Sequence, residues 1–246
     1  MRHLKYLAFL LVIISHTAMS QDVYLKKITA LTNKQTVTKT LMEQLDSLKQ
    51  TRRPKDSYVH ITFKRSVDFD FYHYRIDIKL NEFNYHINLL TKNDTIYFSS
   101  VLYGNSIFNG DVPDEWNKSR RVKLDSLPVL KFLKQRNNFY KSHKTISNLV
   151  EEINLNNQYS LNCGDGNTET KEFKEIKALA KKNESKKFRL LLNSINCEEQ
   201  AYGVLGYREI LKNKFPVPKE VQKLLTHIKQ RKDVLVQCNG CFVTVK

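Results

Sequence analysis

The stretch SYVHITFKRSVDFDFYHYRIDIKLNEFNYHINLLTKNDTIYFSSVLY, residues 57–103, decides the fold class. Its apolar residues recur with a period of two in four successive segments. Val59, Ile61 and Phe63 alternate with His60, Thr62 and Lys64. Tyr72, Tyr74, Ile76 and Ile78 alternate with His73, Arg75, Asp77 and Lys79. Phe83, Tyr85, Ile87 and Leu89 alternate with Asn84, His86 and Asn88, and Ile96 and Phe98 with Thr95, Tyr97 and Ser99. Strand side chains point to opposite faces in turn, so this pattern predicts a four-stranded antiparallel meander with one apolar and one polar face. Ile61, Tyr74, Ile76, Ile87 and Phe98 are expected on the buried face, His60 and Asn88 on the open one. Keeping apolar opposite apolar sets a register. A turn at Asn81-Glu82 pairs Asp77 with His86 and Arg75 with Asn88. A turn at Lys92-Asn93 pairs Leu89 with Ile96 and Ile87 with Phe98. A four-residue turn at Arg65 to Asp68 pairs Ile61 with Tyr72 and His60 with His73.

Either side of the meander the period changes. Leu25, Ile28, Leu31, Leu41, Leu45 and Leu48 predict a helix over Lys26 to Lys49, weakened at Thr36 to Thr40 and ended by Arg52-Arg53-Pro54. After a loop holding Trp116, helical spacing returns at Leu127–Phe139, Ile146–Ile153, Phe173–Ala180 and Phe188–Leu192. A fifth C-terminal helix opens on Asn196, with Glu198 and Glu199 where the helix dipole favours acids. Gly203 and Gly206 lie inside it, which implies a close helix–helix crossing. Pro218 opens a sixth, with Val221, Leu224, Leu225 and Ile228 on its apolar face. A short apolar strand or tail, Val234 to Val245, follows. The fold class is therefore α+β. The division is a signal peptide over 1–20, helix plus antiparallel sheet over 21–104, a loop over 105–121, and a helical part over 122–246.

Met1 to Gln21 reads as a secretory signal peptide. Arg2 and Lys5 give a positive start, Tyr6 to Ser15 an apolar run too short to span a bilayer, and Ala18-Met19-Ser20 a small-residue cleavage site. The mature chain is expected to be exported, periplasmic or secreted, and to carry no transmembrane segment. The 246 residues hold 41 Lys and Arg against 25 Asp and Glu, a formal charge of +16 that falls to +14 once Arg2 and Lys5 are removed. Such a surface favours an anionic partner, but the charge is spread, and no nucleic-acid module or basic stripe with interleaved aromatics is evident.

Leu190 to Cys241 resembles a HEAT-type helical hairpin. A Leu-rich helix breaks at Asn193-Ser194-Ile195-Asn196, a helix with small residues at Ala201, Gly203 and Gly206 follows, and a Pro-marked turn leads to a helix ending in Lys229-Gln230-Arg231. It also resembles a C-terminal module of uncharacterised secreted proteins of Bacteroidota, where a terminal cysteine cluster follows similar helices. The resemblance implies helical packing and partner binding, and carries over no functional residues.

The residues capable of chemistry are few. Cys163, Cys197, Cys238 and Cys241 form an even set in an exported chain, which predicts two structural disulfides, one arrangement being Cys238–Cys241 with Cys163–Cys197. Zinc, redox and free-thiol states are the alternatives. Redox chemistry fits poorly because no helix can follow Cys241, and zinc fits poorly because Cys163 and Cys197 are far apart in sequence. His60, His73 and His86 on the polar sheet face are candidate metal ligands, with Asp77 as an orienting group for His86. Asp111, Asp114 and Glu115 around Trp116 are acids beside an aromatic, a pattern used in glycan chemistry. There is no phosphate-binding Gly-rich loop, no His-Glu-x-x-His and no Gly-x-Ser-x-Gly, and no cofactor motif. The reading that results is an exported, non-catalytic binding or structural protein whose partner is another protein or an anionic surface. The alternatives are a metal-dependent hydrolase using the His-bearing face and a polyanion-binding surface protein. Intact-mass analysis of the exported protein should show a chain starting at Gln21; retention of Tyr6 to Ser15 would refute the signal assignment.

Overall fold

In the computed structural model the described residues are 23–49, 57–80, 83–104, 121–164, 168–231, 233–240 and 242–245. The expected signal peptide, the Arg52-Arg53-Pro54 stop, the Asn81-Glu82 turn, the loop with Asp111, Asp114, Glu115 and Trp116, and Cys241 lie outside them. The fold is α+β. Two N-terminal helices, α1 (23–34) and α2 (Thr38–Asp46), precede the strands β1 (Ser57–Asp68), β2 (Phe71–Leu80), β3 (Phe83–Lys92), β4 (Thr95–Gly104) and β5 (Arg121–Leu124). Six helices follow: α3 (Ser126–Tyr140), α4 (Ile146–Asn154), α5 (Lys171–Lys181), α6 (Ser185–Leu192), α7 (Cys197–Lys212) and α8 (Lys219–Gln230). A hairpin of β6 (Val236–Asn239) and β7 (Phe242–Val245) comes last. The meander is a sheet in the order β1-β2-β3-β4-β5, with β5 an additional short antiparallel strand on β4.

The chain divides into two compact units. One comprises the residues up to Ile61 together with Arg75–Leu124, the other Thr62–Tyr74 with Asp125–Lys246. The β1–β2 hairpin tip thus belongs to the helical unit, a partition that the linear division at 121–122 does not contain.

In the first unit, the weak stretch of the expected N-terminal helix is a break. Val37 is extended, and the 36–38 segment pairs with the sheet: Ile96 N–H donates to Thr36 O at 2.8 Å, Thr38 N–H donates to Asp94 O at 3.1 Å, and Val37 bridges Thr95. β-branched residues serve an edge pairing better than a helix interior. Ile28, Leu41 and Leu45 on the flanking helices are fully buried.

The β2–β3 register is visible in its side chains: Arg75 Nε donates to Asn88 Oδ1 at 3.1 Å, and His86 Nδ1 lies 2.6 Å from Asp77 Oδ1. The β3–β4 register differs from the expected one. The turn is at Asn93-Asp94, both with positive φ as a type I′ hairpin requires, and Leu90 faces Phe98 while Ile87 faces Val101. A register shift between Leu90 and Thr91 leaves Tyr97 out of the pairing. β1 runs on to Asp68, so its turn is Phe69-Asp70, again with positive φ. The expected turns were set by keeping apolar residues opposite one another; the observed ones fall where Asp70, Asn93 and Asp94 tolerate positive φ, with Phe69 carried into the same conformation. The face assignment changes too. Tyr74, Ile76, Ile87 and Phe98 are buried, but Ile61 is 42% exposed, and Asn88 on the supposed open face is 0% exposed. The middle of the sheet is buried on both faces, with Arg75, Ser99, Ser100 and Thr91 covered as well.

In the second unit, α7 crosses α6 where its glycines lie. A Cβ on Gly206 would stand closer than 3.0 Å to three ring carbons of Phe188, and one on Gly203 would press on the Leu192 backbone N. Asn196 caps α7 as expected, its side chain accepting from Glu199 N–H. Tyr140, Ile176, Phe188, Leu192, Leu205, Ile210, Val221, Leu224 and Ile228 form the core around this crossing. The β6–β7 ribbon is tied to the 159–164 segment: Tyr159 N–H donates to Val236 O, Cys238 N–H donates to Tyr159 O, and Gly164 N–H donates to Gly240 O. The Cys163–Cys238 disulfide locks the same seam, its Cα atoms 5.5 Å apart across a sequence separation of 75. Closing a loop of that length restricts the unfolded chain by about 4 kcal/mol in the chain-entropy account.

Alanine is the better helix former by about 1 kcal/mol, so Gly206→Ala would stabilise an isolated α7. Here it should destabilise the protein by about 1–3 kcal/mol through overpacking. In urea unfolding, the Gly206→Ala/Phe188→Leu double variant should lose less than the sum of the single losses; strict additivity would mean that the two residues do not meet.

Candidate functional site

Two places in the helical unit bring chemistry-bearing side chains together. The first is a buried ionic cluster. Asp68, at the end of β1, is 2% exposed and accepts four hydrogen bonds. Arg136 Nε donates to Oδ2 at 3.0 Å. Arg231 at 2.6 Å, His227 Nε2 at 2.9 Å and the Tyr140 hydroxyl at 3.2 Å all donate to Oδ1. Arg136, fully buried on α3, also donates to the Asn193 carbonyl at 2.7 Å and to the Ser194 carbonyl, and its guanidinium stacks 4.4 Å from the Tyr140 ring centroid. Arg231 continues to Asp233 at 2.5 Å and to the Gln200 side-chain oxygen.

Beside it, Arg65 on β1 donates to Glu198 Oε1 at 2.5 Å, both side chains 1% exposed. The same oxygen accepts from Val236 N–H at 2.9 Å. The Arg65 guanidinium lies 4.1 Å from the Phe63 ring centroid and 3.4 Å from His73 Nδ1.

This cluster is poorly suited to catalysis. Burial alone would raise the Asp68 carboxyl, but the His227 hydrogen bond and the Arg231 and Arg136 charges outweigh it and hold it below the ordinary value. A carboxylate saturated with donors is a weak base. Burial pushes the Tyr140 hydroxyl up to about 12, with Asp68 adding to it. Cys197 is a free, buried thiol whose Sγ donates to the Ser66 carbonyl at 3.7 Å, and burial pushes it up to about 12 against the pull of Arg65. Without a thiolate it is no nucleophile at neutral pH. His227 is the member of the network that reaches solvent, its side chain 31% exposed against Phe139.

The second place is an open cleft of about 600 Å³ between α3 and the start of α4. Leu130, Leu133 and Ile146 supply an apolar floor; Lys134, Asn137, Asn138, Lys144, Thr145 and Ser147 supply the rest. Asn137 shapes it. Its Oδ1 accepts from Lys144 N–H and Ser142 Oγ, both at 2.8 Å, and its Nδ2 donates to the Lys144 carbonyl at 2.9 Å. The Thr145–Asn148 capping box then fixes the first turn of α4. Lys144 pairs with Glu152, whose other oxygen accepts from Ile195 N–H at 2.7 Å.

The residues expected to carry chemistry do not converge. His60 is exposed beside the Tyr58 ring, His73 is buried against Phe63 and Arg65, and His86 contacts Asp77. Among the described residues no three His, Cys, Asp or Glu side chains are grouped to hold a metal ion. The expectation of disulfides through Cys197 and between Cys238 and Cys241 is corrected: Cys238 bonds Cys163, because the ribbon carries it to the 159–164 segment, and Cys197 is free at the start of α7.

Sequence reasoning passed over Arg65, Asp68, Arg136, Glu198 and Arg231. One signal was present: Arg136 lies at helical spacing from Phe132, Leu133 and Tyr140, all buried, so a guanidinium occupies a core position. No family model matches the chain, and neither does any curated protein or solved structure.

Asp68→Asn keeps the shape but leaves Arg136 and Arg231 buried without their counter-charge, and should cost about 3–5 kcal/mol in denaturant unfolding. The Asp68 carboxyl is held below its ordinary value near 3.8 when folded, so its contribution is complete above that pH and is lost as pH falls through the lower folded value. The gap between wild type and variant should be constant from neutral pH to about pH 4 and close below it.

Proposed function

We propose that this chain is an exported, non-catalytic binding protein and that the cleft between α3 and α4 is its binding surface. The observation that carries the reading is the contrast within the helical unit: the strongly charged groups are spent on one another inside, while an apolar-floored cleft of about 600 Å³ stands open. Ligand sites are commonly concave, mainly apolar and of about this volume. The Cys163–Cys238 disulfide supports export, since such bonds persist in oxidising compartments. No helix among the described residues is long and apolar enough to cross a membrane. The likeness of Leu190–Cys241 to a HEAT-type hairpin belongs to the same proposal, because such hairpins present partners with rigid helical surfaces.

A neutral apolar dye tests the surface. Nile red fluorescence should rise with a one-to-one saturation on the oxidised protein. It should be lost in Leu130→Asp and Ile146→Asp, both partly exposed positions whose variants should keep the wild-type circular dichroism. Unchanged dye binding in both folded variants would remove the cleft from the proposal.

A further inference from the structure

The cleft between α3 and α4 also carries a charge signature that names a ligand class. Of the residues that line it two are lysines, Lys134 and Lys144, and none is acidic. The two lysines are not equivalent. Lys144 is neutralised by Glu152, and Glu152 is itself fully engaged, one oxygen on Lys144 and the other on Ile195 N–H. Lys134 is exposed and has no ion-pair partner among the described residues. The apolar floor of Leu130, Leu133 and Ile146 therefore ends at a single uncompensated ammonium. That ammonium is attached to a helix, and the opposite wall is fixed by three hydrogen bonds to Asn137. A neutral apolar ligand would leave Lys134 unused, and a cation would meet repulsion with no acid to offset it.

We infer that the cleft takes a single amphiphilic anion, a medium-chain carboxylate whose hydrocarbon lies on Leu130, Leu133 and Ile146 and whose head group faces Lys134. The inference rests on the reading of this cleft as a binding surface. Burying an alkyl chain supplies the affinity, at about 0.8 kcal/mol per methylene. The exposed charge pair adds discrimination rather than bulk affinity. The ligand is bound as a monomer taken from solution, its hydrocarbon on the apolar floor and its carboxylate at the solvent-facing Lys134.

The test is calorimetric titration of the oxidised full-length mature protein with decanoate, decan-1-ol and decylammonium, each below its aggregation concentration. Decanoate should bind one-to-one, at least about threefold tighter than decan-1-ol, and decylammonium more weakly than either. Lys134→Met keeps the apolar stem and removes the charge. It should bring decanoate down to the decan-1-ol affinity without changing the latter, and added salt should weaken decanoate binding alone. Equal binding of decanoate and decan-1-ol by wild type would overturn the anion assignment while leaving an apolar binding cleft in place. Absence of binding by any of the three, in a protein that still binds Nile red through Leu130 and Ile146, would overturn the ligand class altogether. Loss of the Nile red result instead would remove the binding surface itself. Binding of phosphatidylglycerol vesicles that survives Leu130→Asp and Lys134→Met, with no decanoate binding, would assign the charge preference to the general basic surface and refute the inference.

Discussion

The helical unit depends on one buried ion pair, Asp68 with Arg136. Neither side chain reaches water, so each charge must be repaid inside the protein. The repayment is geometric. Arg136 spends Nε on the carboxylate and its remaining nitrogens on the carbonyls of Asn193 and Ser194, which end α6 and lead into α7. Asp68 takes three further donors, from α3, α8 and the residue that follows α8. A pair of charges thereby fixes the hairpin tip, two helices and one interhelical link at a single point. An apolar pair of the same size could fill that space, but it could not specify which carbonyls and which strand end must meet there.

The link held by Arg136 is held a second time. Glu152 accepts from Ile195 N–H and its carbonyl accepts from Asn196 Nδ2, while Asn196 caps α7. With the 193–196 link pinned from α3 and α4, α7 starts in a set direction, and Gly203 and Gly206 meet Leu192 and Phe188 at backbone distance. The glycines therefore offset their poor helix propensity only because the link has already aimed the helix. Farther along, Arg65 and Glu198 join the start of α7 to β1, and Glu198 also receives Val236 N–H at the start of the ribbon that the disulfide secures.

What was legible in the sequence followed from local periodicity. The period of two located β1 to β4, the spacing of three and four located the helices, and Asn196, Gly203, Gly206 and Pro218 marked a cap, a crossing and a start. The turns were misjudged where Asp68, Phe69, Asp70, Asn93 and Asp94 adopt positive φ without glycine. The displaced turn at Asn93-Asp94 moved partners along the strand, which is why Leu90, not Ile87, faces Phe98; Ile61 lies on the face of buried Val59 and Phe63 but is left uncovered there. The ionic cluster was illegible for a different reason. Its members come from β1, α3, α7 and α8, and nothing in the spacing of Arg65, Asp68, Arg136, Glu198 and Arg231 brings them together. The cysteines were misread because an even count was taken as pairing. Whether Cys163 meets Cys238 depends on the parallel bridges at Tyr159–Gln237 and Cys163–Gly240, which no count reveals.

The same cluster bears on what the surface can do. Arg65, Arg136 and Arg231 stand against Asp68, Glu198 and Asp233, three cations and three carboxylates, so the interior of the cluster carries no net charge. The whole excess of +16 must fall elsewhere on the chain. At the α3–α4 cleft one lysine of that excess, Lys134, stands beside an apolar floor, while Glu152, the partner of the other lysine, is committed to Lys144 and to the 193–196 link. Turning Glu152 away from these partners would release Lys144, Ile195 N–H and the start of α7. The charge of the cleft is thus tied to the packing of the helices: the acid that cancels Lys144 is the one that pins the 193–196 link, and among the described residues no acid lines the cleft beside Lys134.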